Sequence, residues 1–176
     1  MQVQKAQCAL LQLPESFPTL QLKPIDLYGA NGKPKWFLDL NPAGTVPVLI
    51  VHSEQEETVL TESDDIVCWV AEQLGTHPLP ALRDDLDFLA SFSADLKPLV
   101  QSRQRKKILT ALKSFKERTT TLTSLGCSAA VPFIRRLVEE FNEESQASGV
   151  SNWYDNVLLE SPKVREIVSG PYWWWW

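Results

Sequence analysis

The sequence predicts an α/β unit over about residues 1–76, followed by an all-helical unit over about residues 82–170. Before residue 78, helix-like and strand-like stretches alternate, which is the order typical of an α/β unit. After it, only helical periodicity and polar loops occur. The short proline-rich connection THPLP, at 76–80, separates the two, and residues 171–176 form an aromatic tail.

Hydrophobic periodicity defines the elements of the first unit. Ala6, Leu10 and Leu13 recur at helical spacing, whereas apolar and polar residues alternate from Leu20 to Leu27. Gly75 is a helix stop signal. The predicted elements are a helix over 3–13, a strand over 20–27, a helix over 35–40, a strand over 46–51, its hairpin partner over 58–60 and a helix over 63–74.

The second unit has apolar stripes at helical spacing, interrupted by prolines and polar loops. Pro98 is expected to kink or break the first of its helices. The predicted elements are apolar helices over 82–96 and 108–115, a Ser/Thr-rich loop over 119–128, a helix opened by Pro132, a loop over 146–151, and short helices over 153–159 and 164–168.

Charge and cysteine content exclude several classes of protein. The chain of 176 residues carries 17 basic and 22 acidic side chains, and this acidic balance argues against a general nucleic-acid binder. It has three separated cysteines and two histidines without a CxxC pair, so a disulfide scaffold and a metal site are not expected. A reducing compartment, the cytosol or a plastid, fits this cysteine usage better. Seven basic residues lie within 103–118, and a solvated helix face is favoured there over an anion-binding patch.

The segment from Lys33 to Val70 contains three features that suit a small peptide ligand. A cis Val46–Pro47 bond would leave the Val46 main chain free to pair with a peptide, although an ordinary strand-edge proline is the alternative. Glu62 and Ser63 open a helix and suit an ammonium and a carboxylate, although the same residues are typical of a capping motif. Lys33 suits a second carboxylate, although a solvated lysine is the common alternative.

Together these features suit a peptide with an α-amino acid end, a central amide and a distal carboxylate, which is the shape of glutathione. The words NPAGTVPVL and ESDDI resemble the N-P-x-G-x-V-P-V-L strand and E-S-x-x-I helix in the thioredoxin-like domain of glutathione transferases. KPKWFLDLNPAGTVPVL is similar to the dehydroascorbate-reductase and omega-like branches. The resemblance covers about residues 2–100, and more weakly 150–168.

This resemblance implies a thioredoxin-like N-terminal domain over 1–76 and a shortened helical C-terminal domain over 82–170. It implies that glutathione is the cosubstrate, without a metal, and that a small electrophile or dehydroascorbate is the second substrate. A cis Val46–Pro47 bond is then expected, with Val46 and Pro47 holding the cysteinyl part of glutathione. Glu62 and Ser63 would hold the γ-glutamyl end, and Lys33 the glycyl end. Trp36 and Phe37 are expected to pack under the loop rather than contact the ligand.

The sequence departs from the family at the catalytic motif. The nucleophile of these branches lies in a C-P-x-x-Q-[RK] turn, of which Gln4 and Lys5 match the end, so the cysteine would lie before Met1 and the first strand would be missing. Cys8 lies about 12 Å further along the helix and is rejected as nucleophile. A further apolar helix that family members open with [ST]-x-x-D, between Phe115 and Trp153, is not found.

Two functions therefore remain open. The first is a glutathione-dependent transferase or thiol oxidoreductase, resembling dehydroascorbate reductase, whose active site is truncated. The second is a non-catalytic module of the same fold that docks on a larger assembly. The tail Trp173–Trp176 would then serve as an anchor on a protein partner or a membrane interface, or fill a groove of this chain.

Overall fold

A computed structural model describes residues 2–17, 20–27, 32–53, 55–75 and 78–169. Part of the predicted loop after residue 27 and part of the THPLP connection lie outside the described residues. The aromatic tail and its predicted partner contact lie outside them as well.

The N-terminal part combines helices with a small sheet. Helix α1 spans Gln2–Leu10, α2 spans Lys35–Leu40 and α3 spans Ser63–Leu74. Strands β1 (Leu49–His52) and β2 (Glu57–Leu60) form an antiparallel hairpin. The three predicted helices and the predicted hairpin are confirmed, although α1 is shorter than expected. Gly75 caps α3 in the left-handed conformation (φ 62°), as a helix stop requires.

The strand predicted over Leu20 to Leu27 is wrong. This segment carries no strand in the structure, and the side chains of Leu20 and Leu22 are exposed. A strand needs a hydrogen-bonding neighbour and a face to bury, and only β1 and β2 pair in the described part of the chain. Alternating polarity alone therefore did not suffice here.

The C-terminal part is entirely helical in the residues that the structure describes. Its helices are α4 (Leu79–Gln101), α5 (Arg105–Arg118), α6 (Ser124–Glu140), α7 (Asn142–Ser148), α8 (Val150–Glu160) and α9 (Pro162–Ser169). The order of a small sheet with helices followed by an all-helical part fits the predicted fold class.

Helix α6 corrects two expectations. It begins at Ser124, inside the predicted 119–128 loop, and Pro132 lies within it rather than opening it. The Thr123 hydroxyl caps it by accepting from the Gly126 N–H at 3.0 Å. With nine buried residues, α6 is longer and more deeply packed than the helix predicted from Pro132 onward.

Two other sequence signals were wrongly interpreted as interruptions of helices. Helix α4 continues through Pro98 to Gln101, because this proline lies close enough to the end for little of the helix to depend on it. The loop predicted over 146–151 is reduced to Gly149, which separates α7 from α8 with φ 78°. A single left-handed glycine turns the chain here, so no polar loop is needed.

The hydrophobic core extends from the first helix to the last. Helix α1 packs against α3 on one side and against α6 and α9 on the other. Cys8 and Ala9 of α1 share this core with Val67 of α3 and Val168 of α9. Helix α1 is therefore fixed between the two parts. None of the described helices is long and apolar enough to cross a membrane.

Candidate functional site

The β-hairpin brings the predicted binding residues to one place. Leu49, the first residue of β1, pairs with Leu60, the last residue of β2. Val46 lies just before β1, and Glu62 and Ser63 lie just after β2. Both segments therefore extend beyond the same open end of the hairpin, where opposed backbones are only about 5 Å apart.

The turn before β1 is held by Asn41, which is buried. Its side-chain Nδ2 donates to the Thr45 carbonyl at 2.9 Å and to the Thr45 hydroxyl at 3.1 Å. Gly44 adopts φ 63°, and its N–H donates to the Asn41 carbonyl at 2.8 Å. These bonds fix the chain that enters the site, because they close the turn through both main chain and side chain.

Lys33 lies against this turn. An ideal Cβ added to Gly44 would lie 2.8 Å from Lys33 Nζ, so the ammonium occupies the space above the glycine. Gly44 is two residues from Val46, so at most about 7 Å of chain separates the Cα atoms of these two residues. Among the described residues, Lys33 forms no ion pair. Its ammonium is therefore available to a carboxylate.

The Val46–Pro47 peptide bond is cis, which confirms the prediction for this bond. Val46 and Pro47 are both half-buried, and the strand begins two residues later. No hydrogen bond joins the Val46 N–H or C=O to another group in the described ranges. An extended ligand can pair with these two groups, as in strand addition.

Helix α3 begins next to this edge with one exposed and one buried polar side chain. Glu62 is its N-cap residue and makes no side-chain capping bond, so its exposed carboxylate is available to a cation. Ser63 is buried, and its hydroxyl donates to Gln2 Oε1 of α1 at 2.7 Å. Asp64, in the first turn, forms an ion pair with Lys5 of α1.

These two contacts across α1 and α3 were not predicted. Gln2 lies outside the predicted helix over 3–13 and was given no role, and Lys5 was matched to the end of the catalytic motif. The sequence signal that could have found them is the polar pair Gln2 and Lys5 at helical spacing, facing a helix whose first turn is polar. The Lys5 ammonium offsets the negative charge that Asp64 brings to a helix N-terminus otherwise favourable to anions.

The three cysteines do not supply a reactive thiolate. Cys8 is fully buried, and burial raises the pKa of its thiol to about 12. Burial also raises the pKa of Cys68. Burial, aided by Asp85, raises the pKa of Cys127 to about 11. Because the thiolate is the nucleophile, these residues are poor candidates for covalent chemistry.

The two aromatic residues of α2 differ in environment. Phe37 is buried, as expected, whereas Trp36 is 38% exposed and lies under Lys23, whose Nζ is 3.8 Å from the ring centroid. The expectation that both residues pack under the loop is thus confirmed for Phe37 and wrong for Trp36. No group of three His, Cys, Asp or Glu side chains suited to a metal ion occurs in the described residues.

One comparison with known protein families bears on this part of the chain. The family model described as "Glutathione S-transferase, N-terminal domain" matches residues 8–73. This range contains all the predicted binding residues: Lys33, Val46, Pro47, Glu62 and Ser63. The match shows that residues 8–73 are similar to the N-terminal domain of glutathione S-transferases. No solved structure matches the chain significantly.

Proposed function

We propose that this protein binds glutathione at the open end of the β1–β2 hairpin. The observation that carries the proposal is the convergence there of an unpaired ammonium, an unpaired strand edge and a polar helix N-terminus. Lys33 receives the glycyl carboxylate and Val46 pairs with the cysteinyl amide. Glu62 and Ser63 receive the γ-glutamyl end, whose ammonium and carboxylate match a carboxylate and a hydroxyl.

The activity built on this site is proposed to be glutathione-dependent transfer or thiol oxidoreduction of the dehydroascorbate-reductase or omega-like type. The support is the KPKWFLDLNPAGTVPVL segment, which resembles those branches. The second substrate is then a small electrophile or dehydroascorbate. In the oxidoreductase form of this chemistry, dehydroascorbate takes up two electrons and two protons while an activated thiol and one glutathione become a mixed disulfide. A second glutathione then releases the thiol as glutathione disulfide forms.

A non-catalytic glutathione-binding module on a larger assembly is the second candidate. The state of the cysteines favours it, because Cys8 and Cys68 are buried and all three thiols have raised pKa values. The candidates share the binding site and differ in whether this chain turns over a substrate.

Isothermal titration calorimetry with glutathione tests the shared site. Lys33→Met keeps the apolar stem and removes the charge, so the affinity should fall by about 1.5–3 kcal/mol, the range for a hydrogen bond to a charged group. Lys35→Met is the matched control, since this lysine is exposed and paired with Asp39 at 2.8 Å. Its affinity should equal that of wild type.

A second ligand makes the assignment specific. Glutathione amidated at its glycyl carboxylate should bind wild type and Lys33→Met with equal affinity, because the amide carries no charge for the ammonium to pair with. Wild-type protein that binds no glutathione at millimolar concentration would contradict the proposal. Equal losses of glutathione affinity in Lys33→Met and Lys35→Met would exclude Lys33 as a ligand-binding residue.

A further inference from the structure

Ser63 is already engaged within the protein. Its side chain is buried, and its Oγ donates to Gln2 Oε1 at 2.7 Å. The next acceptor, Asp64 Oδ1, is further away at 3.3 Å. Gln2 lies in the first turn of α1 and is exposed to solvent.

This bond restricts what Ser63 can offer to a ligand. A hydroxyl has one hydrogen to donate and two lone pairs to accept with. A ligand carboxylate only accepts, so it needs the hydrogen that Gln2 now holds. A ligand ammonium only donates, so it can use the Ser63 lone pairs while Gln2 remains in place.

We propose that Gln2 is an intramolecular competitor for the Ser63 hydroxyl, which the γ-glutamyl carboxylate of glutathione must displace in order to bind. This inference rests on the proposed function, since it concerns the same site. Gln2 thereby lowers the affinity for ligands with that carboxylate and leaves the affinity for ligands without it unchanged. It acts through Ser63 and is a positioning residue, not a catalytic one.

The surroundings allow this exchange without moving the helix. Gln2 is exposed, so its side chain can turn into water, where its amide is solvated. One turn further along α1, Lys5 remains paired with Asp64. Ala6 and Cys8 are buried in the packing of α1. The switch is thus confined to one side chain, and the docking of α1 on α3 is kept by other contacts.

Calorimetric titration of Gln2→Ala with glutathione tests the competition. The affinity should rise about fivefold, the factor that corresponds to one net intramolecular hydrogen bond. Gln7→Ala is the matched control, because Gln7 is a half-buried glutamine on the same helix that makes no hydrogen bond to Ser63, and the affinity of this variant should equal that of wild type. In a Ser63→Ala background, Gln2→Ala should bring no gain.

The specific readout is a glutathione analogue in which γ-aminobutyrate replaces the γ-glutamyl residue. This analogue keeps the amine and lacks the α-carboxylate, so Gln2→Ala and wild type should bind it equally. A purely structural effect of Gln2 on the helix would change the affinity for both ligands alike. Thermal melting of each variant checks that the fold is kept.

The outcomes separate the two proposals. A fivefold gain with glutathione and none with the analogue supports the competition. Equal binding of glutathione by wild type and Gln2→Ala overturns the competition and leaves the glutathione site standing. An equal gain with both ligands overturns it as well. Absence of glutathione binding in wild type and in Gln2→Ala overturns both.

Discussion

Asp85 of α4 organises the start of α6, and its removal should destabilise the protein strongly. The carboxylate is 1% exposed and accepts three hydrogen bonds. Arg118 donates to Oδ1 at 2.9 Å, and the N–H and hydroxyl of Thr123 both donate to Oδ2 at 2.8 Å. Thr123 in turn caps Gly126 at 3.0 Å. The charge of Asp85 thus fixes the residue that caps α6.

The substitution Asp85→Asn keeps the volume and removes the charge. The two bonds from Thr123 change from charge-assisted to neutral, a loss of about 1 kcal/mol each. The amide group now faces Arg118, so that bond is lost, at about 1 kcal/mol because Arg118 is 30% exposed and can turn to water. The free energy of unfolding should fall by roughly 3 kcal/mol, and the midpoint temperature of thermal unfolding should fall by roughly 6–12 °C.

Urea unfolding followed by circular dichroism measures this change. The matched control is Asp84→Asn, whose carboxylate is exposed and which should stay within about 0.5 kcal/mol of wild type. Thr123→Val should cost about 1 kcal/mol by itself and less in the Asp85→Asn background, because the two residues share their hydrogen bonds. An Asp85→Asn protein as stable as Asp84→Asn would refute the role of the buried charge.

Two further predictions concern Cys8. Burial raises the pKa of the Cys8 thiol from 9.0 to about 12, so the folded state keeps this proton to a higher pH than the unfolded chain does. The contribution of Cys8 to stability is therefore lost as the pH rises above 9. Urea unfolding at pH 8 and pH 10 should show the stability advantage of wild type over Cys8→Ala shrink by about 1.4 kcal/mol, and a constant difference would contradict a buried neutral thiol. In a glutathione-coupled dehydroascorbate assay, wild type and Cys8→Ser should both show low turnover, whereas robust wild-type activity abolished by Cys8→Ser would identify Cys8 as the nucleophile.

Local sequence signals were sufficient to predict an element when the residues that determine its conformation lie within the element itself. Helix α3 was predicted because its apolar face and the stop at Gly75 are encoded within it. The hairpin was predicted because two apolar stretches flank a polar segment, whereas the cis bond followed from the family resemblance, since the residues alone left an ordinary strand-edge proline open. In the segment over 20–27 the same kind of reasoning failed, since alternation does not reveal whether a neighbouring strand exists.

Contacts between distant residues were beyond sequence reasoning. The start of α6 depends on Asp85, which precedes Thr123 by 38 positions, so the Ser/Thr-rich segment looked like a loop. In the candidate site, Lys33 and Ser63 were recognisable as side chains that suit a ligand carboxylate, but the partner that Ser63 has within the chain was not. No periodicity pairs Ser63 with Gln2, 61 positions away, because that contact depends on how α1 docks on α3.

The first turn of α3 serves two purposes that oppose each other. Its polar groups dock α1, through Gln2 on Ser63 and Lys5 on Asp64, and in the proposed glutathione site the same turn would offer a hydroxyl and a helix N-terminus to the ligand. A bond that stabilises the docked helix by occupying Ser63 therefore lowers the affinity for a carboxylate by a comparable free energy. The Lys5–Asp64 pair does not carry this conflict, because it offsets a negative charge that would otherwise repel the same carboxylate. The bond that Ser63 makes to Gln2 therefore stabilises the fold at the expense of ligand affinity, whereas the Lys5–Asp64 pair would favour both.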